Sequence, residues 1–332
     1  MKNSNQMLIL LTTLSIFSCG KMQKNSESKA EIKKESTSLV SQTVDAFEKK
    51  FGIHEGKRRN HIDGFCFSGN LTIKDEGVSK YSKSVIFSKT PLKVNGRLSH
   101  KGGMKKNESD PGEYGMAFRV ELIDGGIQDF SMNTLDFFPV NSPEGFHQLM
   151  MAKVSGKKED FAKLKVDHPE FVNFKSHYGA KSTELKTYSN HQFNSVNTFI
   201  FENEEGTKTP VRWSFVPKND HVKLDQSTEN DYYLETKKSL EKGNLVWEMV
   251  VTIANPGDKV NDASIPWEGE HKQIVVATLT VDGINKPGLC DNMMFNPIIL
   301  QPGIQISKDP LLLFRSSAYS ESFSRRSQEK NN

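Results

Sequence analysis

Apolar residues recur with a two-residue period in several short stretches of the chain, each closed off by turn-forming residues. Phe199 and Phe201 fall on one face opposite Ile200, and Val211, Trp213 and Phe215 fall opposite Arg212 and Ser214. That period is the mark of a strand with one face in a core. Together with β-branched and aromatic enrichment, it predicts strands near 64–73, 91–99, 115–124, 127–133, 193–202, 209–217, 244–255 and 273–282. Asp124-Gly125-Gly126 and Glu205-Gly206 read as hairpin links. Strands joined by links this short suggest a closed antiparallel barrel, which leaves no sheet edge to protect.

The period changes to that of a helix in three places. Ser142-Pro143-Glu144 opens a helix with Phe146, Leu149 and Met150 at i, i+3, i+4 spacing and a stop at Gly156. A second helical region covers roughly 158–178. The third starts at Asp309-Pro310, an N-cap followed by a residue suited to the first helical position, and runs through Arg325-Arg326. Within it Arg315 and Tyr319 are one turn apart and share a face. At ~100° per residue Arg326 returns to within about 40° of both, while Arg325 points away. A buried tyrosine beside an arginine is a phenol whose anion is stabilised, the form an oxygen ligand to ferric iron would need. An amphipathic helix with Tyr319 in the core and Arg315 on its rim would explain the same residues.

With 35% hydrophobic and 26% charged residues in 332, the chain can bury a substantial core. Its net charge of +3, spread over scattered lysines and arginines, gives no reason to expect nucleic acid. Residues 1–18 have the layout of an export signal, and Ser18-Cys19-Gly20 resembles a bacterial lipobox, so acylation of Cys19 would attach the chain to a membrane. Residues 19–45 are rich in Lys, Ser, Glu and Asn and are expected to form a disordered tether. This places the protein outside the cytoplasm, periplasmic or elsewhere in the cell envelope. Cys66 and Cys290 then remain, either as one disulfide or as two buried thiols. No CxxC, HExxH, GxSxG or phosphate-binding loop is present, which removes zinc proteases, serine hydrolases of that type and nucleotide hydrolases from consideration.

Around the helical stripe, Met294-Phe295-Asn296-Pro297, Pro302-Gly303-Ile304, Ser307, Asp309-Pro310 and Arg315-x-x-x-Tyr319 resemble the haem-ligand region of the catalase superfamily. The similarity runs from about Gly52 to Arg326 and is strongest to its shorter branch, the catalase-related peroxidases. It implies an α+β fold, an eight-stranded antiparallel β-barrel with inserted and C-terminal helices, occupying 46–328. It also implies a b-type ferric haem. Tyrosine is the haem ligand of catalases, so Tyr319 is assigned as the iron ligand by that resemblance. Arg58-Arg59-Asn60-His61-Ile-Asp-Gly64 resembles the distal-histidine segment, which makes His61 the proton shuttle, with Ser99 orienting its ring. Arg58, Arg97 and Arg326 match the cations that hold the haem propionates, Arg315 the partner of the tyrosine, and Phe137 and Phe146 aromatic residues against the haem.

One departure stands out. Where true catalases carry two successive asparagines, this chain reads Met132-Asn133, and the first of the two positions supplies the catalytic amide. Met132 cannot donate a hydrogen bond, and Asn133 would serve only if the strand register shifted. The expected activity is reduction of hydrogen peroxide or organic hydroperoxides by an organic donor, with weak dismutation at most. A hydroperoxide isomerase of the allene-oxide-synthase type and a non-catalytic haem-binding lipoprotein are the alternatives. The donor and the oligomeric state stay open.

Overall fold

The computed structural model describes residues 38–74, 76–88, 91–104, 113–179, 187–218, 232–243 and 245–330. The signal at 1–18, Cys19 and the tether up to residue 37 lie outside the described residues. Ten strands form one antiparallel sheet: β1 (Gly64–Ile73), β2 (Leu92–His100), β3 (Tyr114–Glu121), β4 (Ile127–Asn133), β5 (Phe193–Asn194), β6 (Phe199–Glu202), β7 (Lys208–Pro217), β8 (Val246–Ile253), β9 (Gln273–Asn285) and β10 (Ile304–Ile306). Their order is β10-β6-β7-β5-β4-β3-β2-β1-β9-β8, and pairing of β7 with β8 closes it. β5 and β6 both pair along one edge of β7, so together they make a single stave. The result is a closed eight-stranded antiparallel barrel in an α+β fold, as expected.

The predicted strand 193–202 is interrupted between β5 and β6. Ser195 Oγ donates to Asn197 O, and Val196 has φ of 64°, so local side-chain bonding displaces the ladder for four residues. Positive φ at a β-branched residue is costly and marks a segment held by its surroundings.

Six helices accompany the barrel among the described residues. α1 covers 38–51, α2 is Pro143–Ser155, α3 Lys158–Asp167, α4 Glu170–Gly179, α5 Tyr232–Glu241 and α6 Pro310–Glu329. α2 begins where Ser142 Oγ accepts from Gly145 N and ends at Gly156, whose φ of 69° suits glycine. The helical region expected over roughly 158–178 is two helices divided at Pro169, because a residue before proline avoids helical dihedrals. α1 takes in residues 38–45, which composition had placed in the tether. Val40, Thr43, Val44 and Phe47 are buried there at helical spacing, a short stripe masked by polar neighbours.

The barrel interior is packed with side chains. Phe67, Phe118, Phe130, Phe215, Trp213, Trp247, Met116 and Met132 belong to one buried cluster, and Phe118 stacks on Phe130 at 4.7 Å. A small-molecule site must therefore lie outside the wall, where β1–β4 present their other face to α1, α2 and α6.

Candidate functional site

A cavity with about 1530 Å³ of empty space, counted out to its open mouth, occupies that outer face. Its wall takes Arg97 and Ser99 from β2, Gly115 and Ala117 from β3, and Ser131 and Asn133 from β4. α1 adds Phe47 and Phe51, α2 adds Phe146 and Met150, and α6 adds Arg315, Tyr319 and Arg326. Arg58 and His61 enter from the segment before β1. Nine of the ten residues expected in the site from the sequence are thus in one place: Arg58, His61, Arg97, Ser99, Asn133, Phe146, Arg315, Tyr319 and Arg326.

Phe137 is the exception. It packs against Phe174, His177 and Tyr178, away from the cavity, and its neighbour Phe138 takes the place in the wall. Residues 134–142 have no regular secondary structure, so alternation could not say which phenylalanine faces inward. Phe138 N donates to Ala263 O, which turns that residue's ring toward Phe146 at 5.4 Å.

At the α6 side, Tyr319 Oη accepts a hydrogen bond from Arg315 Nη2 at 3.2 Å and lies 3.4 Å from Ser131 Oγ. Burial works against ionising this phenol, yet the Arg315 charge and the hydrogen bonds from Ser131 and Arg315 outweigh it and bring Tyr319 below its usual value. Arg315 is itself held: Nη1 donates to Asn197 Oδ1 at 2.5 Å, Nη2 donates to Ser131 O at 3.2 Å, and Asn197 Nδ2 donates to Asp309 Oδ2 at 2.9 Å. Asp309 thus caps α6 through Leu311 N and, through Asn197, aims the arginine nearly two turns later in the same helix. Asn197 escaped sequence reasoning; its signal was the polar Ser195-Val196-Asn197 break in an otherwise apolar strand.

On the opposite wall, His61 has φ of 55° and is fixed by Asn60, whose Oδ1 accepts from both His61 N and Gly102 N at 2.9 Å. His61 Nδ1 is 3.1 Å from Ser99 Oγ. Burial, followed by the charges of Lys101, Arg97, His100 and Arg58, depresses the imidazole well below its ordinary value, so it is neutral at neutral pH. Gly115 makes room for the ring, since a Cβ there would lie 3.0 Å from both His61 Nδ1 and Ser99 Oγ.

The β3–β4 register pairs Gly115 with Asn133 and Met116 with Met132. Asn133 therefore shares the His61 side of the wall with Gly115 and Ser99, while Met132 sits in the barrel core beside Met116 and Phe130. The expectation that Asn133 would need a shifted register does not hold, and the argument for weak dismutation drawn from Met132 loses its basis. Strand alternation, not position in a motif, decides which side chain meets the cavity. Asn133 Oδ1 accepts from Leu135 N at 2.7 Å, leaving the NH2 end as the donor.

Three guanidinium groups gather at one end. Arg58 Nη2 donates to the carbonyls of Cys290 and Met293 at 2.9 Å, and Arg326 donates to those of Asp291 and Met293. Arg97 Nη2 donates to Ile62 O, while its buried Nε has no hydrogen-bond partner among the described residues. Burial lowers all three, mutual repulsion lowers Arg58 and Arg326 further, and Arg326 is brought down to about 10. Clustered buried cations with an orphaned donor are a site prepared for anions. A disulfide joins Cys66 in β1 to Cys290 in the turn whose carbonyls hold Arg58 and Arg326, which settles the pairing left open by the sequence. The donor set fits a haem: a stabilised phenolate for iron, a cationic end for two propionates, and aromatic walls between.

Known proteins share this fold. The catalase family model matches residues 20–332. A catalase-related peroxidase of Synechococcus elongatus is 29% identical over 300 residues, covering 86% of this chain and 88% of the relative. Another, from Mycolicibacterium paratuberculosis, is 26% identical over 290 residues, covering 85% and 92%. A bacterial catalase structure superposes with a TM-score of 0.70 at 20% identity, covering 82% of this chain and 58% of that one, and a fungal catalase with 0.71 at 17%, covering 82% and 59%. Two chains that share so little sequence share the barrel and its flanking helices, and the relatives' names support an oxidoreductase acting on peroxide. The chain belongs to the catalase family.

Proposed function

We propose that the protein is a haem-dependent peroxidase that reduces hydrogen peroxide or organic hydroperoxides with electrons from an organic donor. The observation that carries this reading is the pairing, across one cavity, of the Arg315-supported Tyr319 phenol with the neutral His61 imidazole. Tyr319 would ligate the iron, Arg58, Arg97 and Arg326 would bind the propionates, and Phe138 and Phe146 would pack against the ring. Haem so held would supply the redox chemistry that cleaves the O–O bond of peroxide.

His61 moves the proton. With Nδ1–H donated to Ser99 Oγ, Nε2 keeps a lone pair for the cavity, takes the peroxide proton and returns it to the departing oxygen. Because burial keeps the ring neutral, it is competent without first losing a proton to solvent. Asn133 offers its NH2 to orient the peroxide. Arg315 favours the phenolate form of Tyr319, and Asn197 with Asp309 keeps Arg315 from turning away. The hydroperoxide leaves as alcohol, or water from hydrogen peroxide, plus a second water, with two electrons and two protons consumed.

Export and lipid attachment at Cys19 complete the proposal, supported by the leader pattern and by a disulfide of the kind that persists in oxidising compartments. The decisive experiment is reconstitution of the purified chain with haem. A Soret band that is absent from Tyr319→Phe, with donor oxidation by peroxide that falls in His61→Ala, supports the reading; no Soret band in the wild type overturns it.

A further inference from the structure

The cavity has a roof whose two long edges are held differently. α1 bridges α2 and α6 over the site, and its Phe47 and Phe51 line the cavity. Toward α2 the contact is mainly apolar: Phe47 lies 6.0 Å from Phe146 and packs with Met150, and Thr43 Oγ1 is 3.2 Å from His147 Nδ1. Toward α6 it is ionic. Ser41, Asp45 and Glu48, at i, i+4 and i+7, form one stripe on the side of α1 opposite Thr43 and Phe47. Arg325 Nη1 of α6 lies 2.6 Å from Asp45 Oδ1 and 3.0 Å from Glu48 Oε2, and Ser41 Oγ donates to Glu321 Oε1 at 3.4 Å. Glu48 Oε1 also accepts from Arg59 Nε at 2.6 Å, and the same guanidinium, 3% exposed, pairs with Glu329 at the end of α6. The cations come as two arginine doublets: Arg58 and Arg326 belong to the cationic end of the site, while their neighbours Arg59 and Arg325 reach α1.

Part-exposed ion pairs open at modest cost and are weakened by salt, whereas a buried apolar contact resists separation in water. α1 is therefore built to part from α6 before it parts from α2. A flat ring system held between the β-wall and this helix has to pass one of its edges to enter or leave. We propose that α1 is a hinged roof for haem: it turns on its packing against α2, and Asp45 and Glu48 latch it to Arg325 and Arg59, so that breaking these ion pairs is the step that admits and releases haem. This rests on the haem-binding part of the reading above and not on the peroxide chemistry. The latch is closed in the empty and in the loaded chain alike, so it governs both rates and leaves the equilibrium between them nearly untouched.

The test compares the full chain with its double variant Asp45→Asn, Glu48→Gln. Growth of the Soret band reports haem uptake by the apo form, and transfer to excess apomyoglobin reports haem loss from the reconstituted form. Both rates should rise about tenfold in the double variant, the size of losing a part-buried charged hydrogen bond together with exposed ion pairs, and their ratio should change by less than about threefold. Added salt should speed both rates in the wild type and affect the variant less. Hydrogen exchange should quicken at the amides of α1 while those of β1–β4 keep their protection, which separates an opened roof from a loosened fold. Asp45→Glu should retain the wild-type rates. Glu248→Gln, which removes a carboxylate paired with Lys74 and Lys218 on the far side of the barrel sequence in β8, is the control for net charge. Faster loss with unchanged uptake would make these pairs part of the bound geometry and overturn the roof, as would rates indifferent to the double variant. No Soret band in the wild type removes the haem reading and the roof with it; a Soret band with indifferent rates removes the roof alone.

Discussion

Arg315 Nη2 lies 3.2 Å from the phenol oxygen of Tyr319, one helical turn further along α6. The contact lowers the tyrosine below its unfolded value of about 10. A group with a depressed pKa contributes stability above its unfolded value and loses that contribution as pH falls through the folded value. Arg315→Leu should therefore shift the earliest phenolate step in an ultraviolet titration upward and cost stability at alkaline pH. It should also weaken haem binding by about 10–100-fold, the usual effect of removing a residue that supports a metal ligand.

His61 is depressed in the folded chain, so below about pH 6.5 the unfolded chain binds more protons than the folded one. Stability should fall as pH drops from 6.5 toward the folded value, and His61→Gln should remove that part of the acid sensitivity in melts at pH 7 and pH 5. Peroxide turnover in the wild type should show no break near pH 6.5. His61→Ala should lower turnover by roughly 10²–10⁴-fold.

Asn133 and Met132 are adjacent in sequence and on opposite faces of β4. Asn133→Leu should reduce oxygen release from hydrogen peroxide, measured with an oxygen electrode on the reconstituted protein. Met132→Leu, a volume-conserving change in the barrel core, should cost less than about 1.5 kcal/mol in stability and leave haem uptake intact.

Gly115→Ala places a methyl group 3.0 Å from His61 and Ser99. The ring must move, and a displacement near 1 Å should lower turnover by about 10²-fold while haem uptake is retained. A Soret spectrum alongside the rate separates the two effects.

Cys66→Ser with Cys290→Ser should lower stability by about 2–4 kcal/mol in a denaturant melt. Because Cys290, Asp291 and Met293 supply the carbonyls that hold Arg58 and Arg326, haem affinity should fall as well. Unchanged affinity in the double variant would detach the disulfide from the site.

Strand and helix positions were legible because their signals are local. β1 and β4 match the predicted 64–73 and 127–133, and Asp309 and Pro310 start α6 as their residue types require. Motifs likewise brought Tyr319, His61 and the three arginines to notice. α1 and α5 were not legible, since short amphipathic stripes in polar surroundings resemble tether or loop until something packs on them. Phe137 failed for a related reason: in an irregular segment no period assigns faces, and a cluster with Phe174 and Tyr178 decided the matter.

The sequence by itself determined the barrel, the C-terminal helix and the chemical identities of the site, because propensity, alternation and capping act over a few residues. Only the tertiary structure decided that Asn133 and not Met132 shares the His61 face of the wall, and that Asn197 ties Asp309 to Arg315. Those facts depend on cross-strand register and on groups more than a hundred residues apart, and no local preference along the chain encodes them.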